Sequence, residues 1–160
     1  MSHYNRIFFI AACLAVLILF TACSQAPGGL AATPDAAFSG QTIQAGGCTL
    51  TPRSAQVSKR YPAGCTKGTP NCIEMNGDDL LMVVTLSGNA GCNLEQLVDQ
   101  LVMDKDIYLL APNGVKSTRL LTGLDQGFLV LGFGLDSPPD NLLLVWGDNP
   151  SIKLPQTSSE

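Results

Sequence analysis

From residue 41 onward, short apolar stretches alternate with breaks rich in Gly, Pro, Asn and Asp. The clearest stretches are Leu80–Leu86 (LLMVVTL), Ile107–Leu110, Val115–Leu121, Phe128–Leu135 (FLVLGFGL) and Leu142–Trp146 (LLLVW), with an earlier one over Cys48–Val57. Short β-rich runs bounded by frequent turn signals predict an all-β sandwich or barrel. Asn113-Gly114 between two of the runs predicts a hairpin, since both residues tolerate positive φ. One segment has a different period. Leu94, Leu97, Val98 and Leu101 fall at i, i+3, i+4 and i+7, which is a helical stripe. Asn93 is placed to cap it and Gln96 stands at the reciprocal capping-box position. The pattern predicts a short helix across one end of the sandwich, with a distorted strand as the alternative.

The N-terminus follows another logic. Arg6 precedes an unbroken apolar run from Ile7 to Phe20, IFFIAACLAVLILF. That run falls short of the roughly 20 residues a helix needs to span a bilayer. A basic start, a short apolar stretch and then small residues read as a secretory signal peptide. Phe20-Thr21-Ala22-Cys23 resembles the lipobox of bacterial lipoproteins, with Phe20 where that family prefers Leu. The resemblance implies cleavage before Cys23, acylation of that cysteine, and a protein held by its acyl chains at the cell membrane or the outer membrane, outside the cytoplasm. In the family, Ser24 after the cysteine favours the outer membrane where one exists. The next stretch, SQAPGGLAATPDAAFSG over 24–40, is small, Gly- and Pro-rich and aperiodic, and predicts a flexible linker. The expected organisation is a signal peptide over 1–22, lipidated cysteine and linker over 23–40, a β-sandwich over 41–156 and a tail over 157–160.

Composition narrows the function classes. Of 160 residues, 46% are apolar and only 14% charged, with a formal net charge of −4. That balance lacks the electrostatic footprint of a nucleic-acid binder. The single histidine, His3, lies in the predicted signal peptide, so the exported chain would carry no imidazole. Ser-His-Asp and Cys-His catalysis and histidine-bound metals are thereby excluded. No G-x-S-x-G, S-x-x-K, P-loop or zincin motif is present.

Cys48, Cys65, Cys72 and Cys92 remain in the exported chain, an even number that points to disulfides outside the cytoplasm. If the strands around 48–57 and 80–86 pair antiparallel, the start of the first lies beside the end of the second, and Cys48 approaches Cys92. Cys65 and Cys72 then close the connection between those strands. Zinc is the competing reading, but no C-x2–4-C pair and no histidine support it.

Two phrases near the end, Asp106–Gly114 (DIYLLAPNG) and Leu142–Pro150 (LLLVWGDNP), resemble motifs of bacterial extracellular Ig-like domains grouped with the mycobacterial immunoprotective secreted antigen. The resemblance spans roughly residues 80–155. It implies an Ig-like β-sandwich and supplies no catalytic residues.

The candidate chemistry is sparse. Asp78-Asp79 and Asp104-x-Asp106 read as solvated turn residues, because Ca2+ needs six to eight oxygens and no EF-hand run is present. Gly132-Phe133-Gly134 lies inside a strand pattern and reads as a bulge or a close backbone approach. Trp146 and Tyr108 are candidate stacking platforms, although core packing is the better reading of both. Arg53, Lys59, Arg60 and Lys67 form a loose basic cluster around the first long loop. The reading that results is a lipid-anchored extracytoplasmic binding module, not an enzyme, with no cofactor and no metal. Its expected surface is the Cys65–Cys72 loop with Arg60, Tyr61, Lys67 and Asn71, and its expected partner is an envelope protein or cell-wall polymer. A structural envelope lipoprotein without a specific ligand is the alternative.

Overall fold

The chain divides into two units, Met1–Ala31 and Ala32–Glu160. The computed structural model describes residues 38, 40–70, 72–137 and 140–155, all in the second unit. The signal segment, Cys23, residues 24–37 of the expected linker, Asn71 and the tail lie outside the described residues.

In chain order the elements are β1 (Ile43–Ala45), β2 (Cys48–Ser58), β3 (Arg60–Tyr61), β4 (Ile73–Glu74), β5 (Leu80–Gly88), α1 (Leu94–Leu101), β6 (Ile107–Leu110), β7 (Lys116–Asp125), β8 (Phe128–Leu135), β9 (Leu143–Trp146) and β10 (Ile152–Lys153). All pairings are antiparallel, in the order β1-β2-β5-β8-β7-β6-β9-β10, with β3 and β4 forming a separate hairpin. The sheet curls over at β7. Its first residues, Lys116–Thr118, pair with β6, and its later residues, Arg119–Asp125, pair with β8. A register shift between Arg119 and Leu121 marks the corner, as bulges do where a strand must bend. Assigning β2, β5, β6, β7, β8, β9 and β10 to strands A to G gives A-B-E-D on one side and C-F-G on the other. That is the strand arrangement of an Ig-like sandwich, here with strand D continuous with both sheets.

The main core lies between the two halves. Leu50, Met82, Val84, Leu86, Leu129, Leu131 and Phe133 line one wall, and Ile107, Leu109, Leu144, Trp146 and Ile152 the other. Trp146 is a core residue and no stacking platform. The core also reaches further toward the N-terminus than the expected boundary at 41, because Phe38 is buried within it.

A second, smaller cluster sits on the opposite face of the β5–β8 pair. Leu81, Val83 and Val130 are covered there by Tyr61, Ile73 and Met75 of the β3–β4 region and by Leu121. This cover explains why β5 reads as a continuous apolar run. A strand buried on both faces has no solvent side to alternate with. The Gly132-Phe133-Gly134 pattern has its cause here too. A Cβ on Gly132 would stand 2.9 Å from Leu121 Cβ, and one on Gly134 would stand 3.0 Å from Leu120 Cδ1. The glycines admit the side chains of the β7 corner.

The segment at 94–101 is a helix. Asn93 Oδ1 accepts a 3.0 Å hydrogen bond from the Gln96 backbone N–H, and Leu97 and Leu101 are buried. The helix has no basic residue in its last turn. Arg119 of β7 supplies the missing cation, donating from one terminal nitrogen to the carbonyls of Leu101 and Asp104. A guanidinium there complements the negative end of the helix dipole. Both disulfides pair as the topology predicts, Cys48 with Cys92 and Cys65 with Cys72.

Candidate functional site

The connection from β2 to β5 leaves the sheet edge after Ser58, crosses the outer face of the sheet as the β3–β4 hairpin, and carries the disulfide loop at its tip. The loop is built from tight turns. The Cys65 N–H donates to Pro62 O at 3.1 Å, the Thr69 N–H to Thr66 O at 3.2 Å, and the Cys72 N–H to Thr69 O at 3.0 Å. Thr69 Oγ1 also donates to Thr66 O, at 2.9 Å. The turns, with the 5.6 Å Cα–Cα bridge of Cys65–Cys72, satisfy these backbone groups internally. The side chains of Thr66, Lys67, Thr69 and Pro70 are exposed. A segment ordered before it meets a ligand loses less entropy on binding.

Side-chain contacts of Tyr61, Arg60, Lys67 and Lys59 fix the hairpin. Tyr61 Oη donates to Asp125 Oδ2 at 2.8 Å, reaching β7 on the far side of the sheet. Burial first, then the hydrogen bond and charge of Asp125, raise the Tyr61 pKa well above its ordinary value. Arg60 and Lys67 both reach Glu74, at 3.0 Å to Oε1 and 3.2 Å to Oε2. Desolvation pushes the Glu74 carboxyl upward, but the hydrogen bonds and charges of Lys67 and Arg60 together outweigh it, and its pKa lies below the ordinary value. Lys59 Nζ donates to the carbonyls of Gly77 and Asp79 at 2.9 and 3.0 Å.

The expected basic cluster is therefore sorted into separate roles. Arg60 and Lys67 converge on Glu74, a residue that no sequence pattern singles out. Lys59 ties down the turn before β5. Arg53 lies elsewhere, on the outer sheet face, donating from Nε to Ser87 Oγ at 2.7 Å. Tyr61 is half-buried and anchors the hairpin. Asn71 is outside the described residues. The alternation of Ile73-Glu74 beside Cys72 was the available signal for Glu74, but two residues are too few for a period to show.

A concavity of about 360 Å³ opens between the β6–β7 hairpin and the connection from β8 to β9. Pro112, Val115, Ser117, Asp136, Ser137 and Leu142 are among its lining residues. Among the described residues, no group of three His, Cys, Asp or Glu side chains is placed to hold a metal ion. Among the same residues, no helix is long and apolar enough to cross a membrane.

No family model, no curated protein and no solved structure matches this chain.

Proposed function

We propose that this chain is a lipid-anchored, extracytoplasmic binding module that presents the Cys65–Cys72 loop to a partner in the cell envelope. The observation that carries the reading is the loop itself. It is closed by a disulfide, hydrogen-bonded within its own turns, pinned to β7 through Tyr61 and exposed over Thr66–Pro70. Anchoring at Cys23 rests on the lipobox-like Phe20-Thr21-Ala22-Cys23 that ends the apolar run. Two disulfides fit an oxidising compartment. The resemblance of 80–155 to extracellular Ig-like domains of bacterial lipoproteins points the same way.

A second reading is a structural envelope lipoprotein without a specific ligand. It draws on Glu74, which already pairs with both Arg60 and Lys67. Arg60 and Lys67 are themselves exposed, where water screens such pairs, so an anionic partner can compete with Glu74, and the binding reading stands first.

In-cell crosslinking with mass spectrometry tests both, using the full chain beside Cys23→Ser and a combined Arg60→Ala, Tyr61→Phe, Lys67→Ala variant. A reproducible envelope component lost in both variants supports the binding module. A component retained by the loop variant removes the loop from the site, and the absence of any component supports the structural reading.

A further inference from the structure

The outer face of the sheet beside the hairpin carries a second arrangement. Register places Thr51 opposite Ser87 and Asp125 opposite Phe128. The β5–β8 ladder ends at Leu86 and Leu129, and one further step sets Ser87 opposite Phe128. Thr51, Ser87, Phe128 and Asp125 thus form one row across β2, β5, β8 and β7. Phe128 shares its face with Val130, since Leu129 and Leu131 between and beyond them face the main core. Phe128 is only half-buried and belongs to neither hydrophobic cluster. Beside it in the next row, a Cβ added to Gly123 would meet nothing within 4 Å, so the face is open there.

Polar groups flank this aromatic on both sides. Ser87 Oγ accepts from Arg53 Nε at 2.7 Å. Ser54 and Thr85 share a hydroxyl–hydroxyl bond of 2.6 Å in the neighbouring row. Asp125 is exposed and takes the Tyr61 hydroxyl on one carboxylate oxygen. Among the described residues the only side-chain hydrogen bond of Arg53 runs through Nε, and none of them bonds its paired terminal nitrogens. Within the row the two charges stand at opposite ends, Arg53 beside Ser87 and Asp125 beside Phe128.

An apolar ring, hydroxyls in ladder, a guanidinium at one end and a carboxylate at the other match the surface of a sugar chain. Pyranose C–H faces stack on aromatic rings, and their hydroxyls both donate and accept. A guanidinium fork fits a carboxylate in bidentate fashion. We infer that the row Arg53–Ser87–Phe128–Asp125 is a binding strip for an acidic polysaccharide, with a uronate carboxylate on Arg53, a sugar ring on Phe128 and a sugar hydroxyl on Asp125. This goes beyond the loop reading; the two share Asp125, which also holds Tyr61, but Arg53 and Phe128 belong to the strip alone, so the two fail separately.

The test is isothermal titration of the full chain in detergent micelles with two probes, a galacturonate hexamer and a neutral maltohexaose. The acidic hexamer binds saturably and at least tenfold more tightly than the neutral one. Arg53→Gln and Phe128→Ala each weaken it tenfold or more, Phe128→Tyr retains it, and Lys67→Ala leaves it unchanged. Arg53→Gln is a surface change and keeps the test valid if Phe128→Ala lowers the melting temperature. No binding of the acidic hexamer, equal binding of both hexamers, or affinity that survives Arg53→Gln overturns the proposal.

Discussion

The hydroxyl of Tyr61 donates to the carboxylate of Asp125 across 64 residues of sequence, and this bond holds the disulfide hairpin flat against the outer face of the sheet. The phenol sits partly desolvated beside an anion, so the folded state favours its protonated form. The raised pKa means that the contribution is complete below the ordinary phenol value of 10.0 and is lost as pH rises beyond it toward the folded value. Urea titrations at pH 8 to 11 will show stability falling at the alkaline end. Tyr61→Phe will flatten that fall and cost about 1 kcal/mol at neutral pH.

Glu74 sets the opposite limb. Its lowered pKa gives a contribution that is present above the ordinary carboxyl value of 4.5 and disappears as pH falls through the lower folded value. Glu74→Gln will remove this share of the acid dependence below the ordinary carboxyl value. Because it also releases Arg60 and Lys67, it will strengthen retention of the protein on an anionic resin at low salt.

The two disulfides differ in the loops they close, with sequence separations of 44 and 7. Loop-closure entropy assigns about 4 kcal/mol to Cys48–Cys92 and about 2.5 kcal/mol to Cys65–Cys72. Paired Cys→Ser variants measured by denaturant unfolding will follow that order. The Cys65/Cys72 variant will keep the near-ultraviolet signal of buried Trp146, since the short loop lies outside the main core.

Gly132→Ala places a methyl group 2.9 Å from Leu121 Cβ, a contact that only a shift of strand β7 relieves. Overpacking of this kind costs about 1–3 kcal/mol. A melting temperature equal to that of the parent chain would show that the β7 corner is not packed as described.

The β7–β8 hairpin turns through Gln126 at φ 49° and Gly127 at φ 82°, between the paired residues Asp125 and Phe128. Two positive φ values in a two-residue loop favour Asn-Gly. Gln126→Asn will raise stability by about 0.5 kcal/mol, read as a higher urea midpoint at constant slope.

Those two turns show how far the sequence could be read. Asn113-Gly114 does mark a hairpin, but the turn is the four residues Ala111–Gly114, closed by the Gly114 N–H on Ala111 O, and only Gly114 uses positive φ. Pro112 at the second position of that turn takes over what the dipeptide alone was expected to do. Gln126-Gly127 makes the tighter turn without carrying the usual residue. Strands β6 and β8 were legible to the residue because each is an unbroken apolar run with a sharp break at both ends. Strand β7 runs to Asp125, past the expected end at Leu121, because its second half follows a bulge that resets the inside–outside period. Strands β1, β3, β4 and β10 are too short to show a period. At the candidate site the cysteine pairing was legible from topology, whereas Glu74 and Asp125 were not, since each acts on a partner distant in sequence or on a two-residue strand.

The staple between Cys48 and Cys92 also decides how the domain bears force. A pull applied from the N-terminal side meets Phe38 in the core and then β1, whose three residue pairs with β2 separate in succession. The load then arrives at Cys48, where a covalent bond leads it to the end of β5 and the start of the helix, and the long β2–β5 ladder is spared. The β2–β5 ladder and the disulfide hairpin lie inside that covalent loop, so such a pull does not extend them.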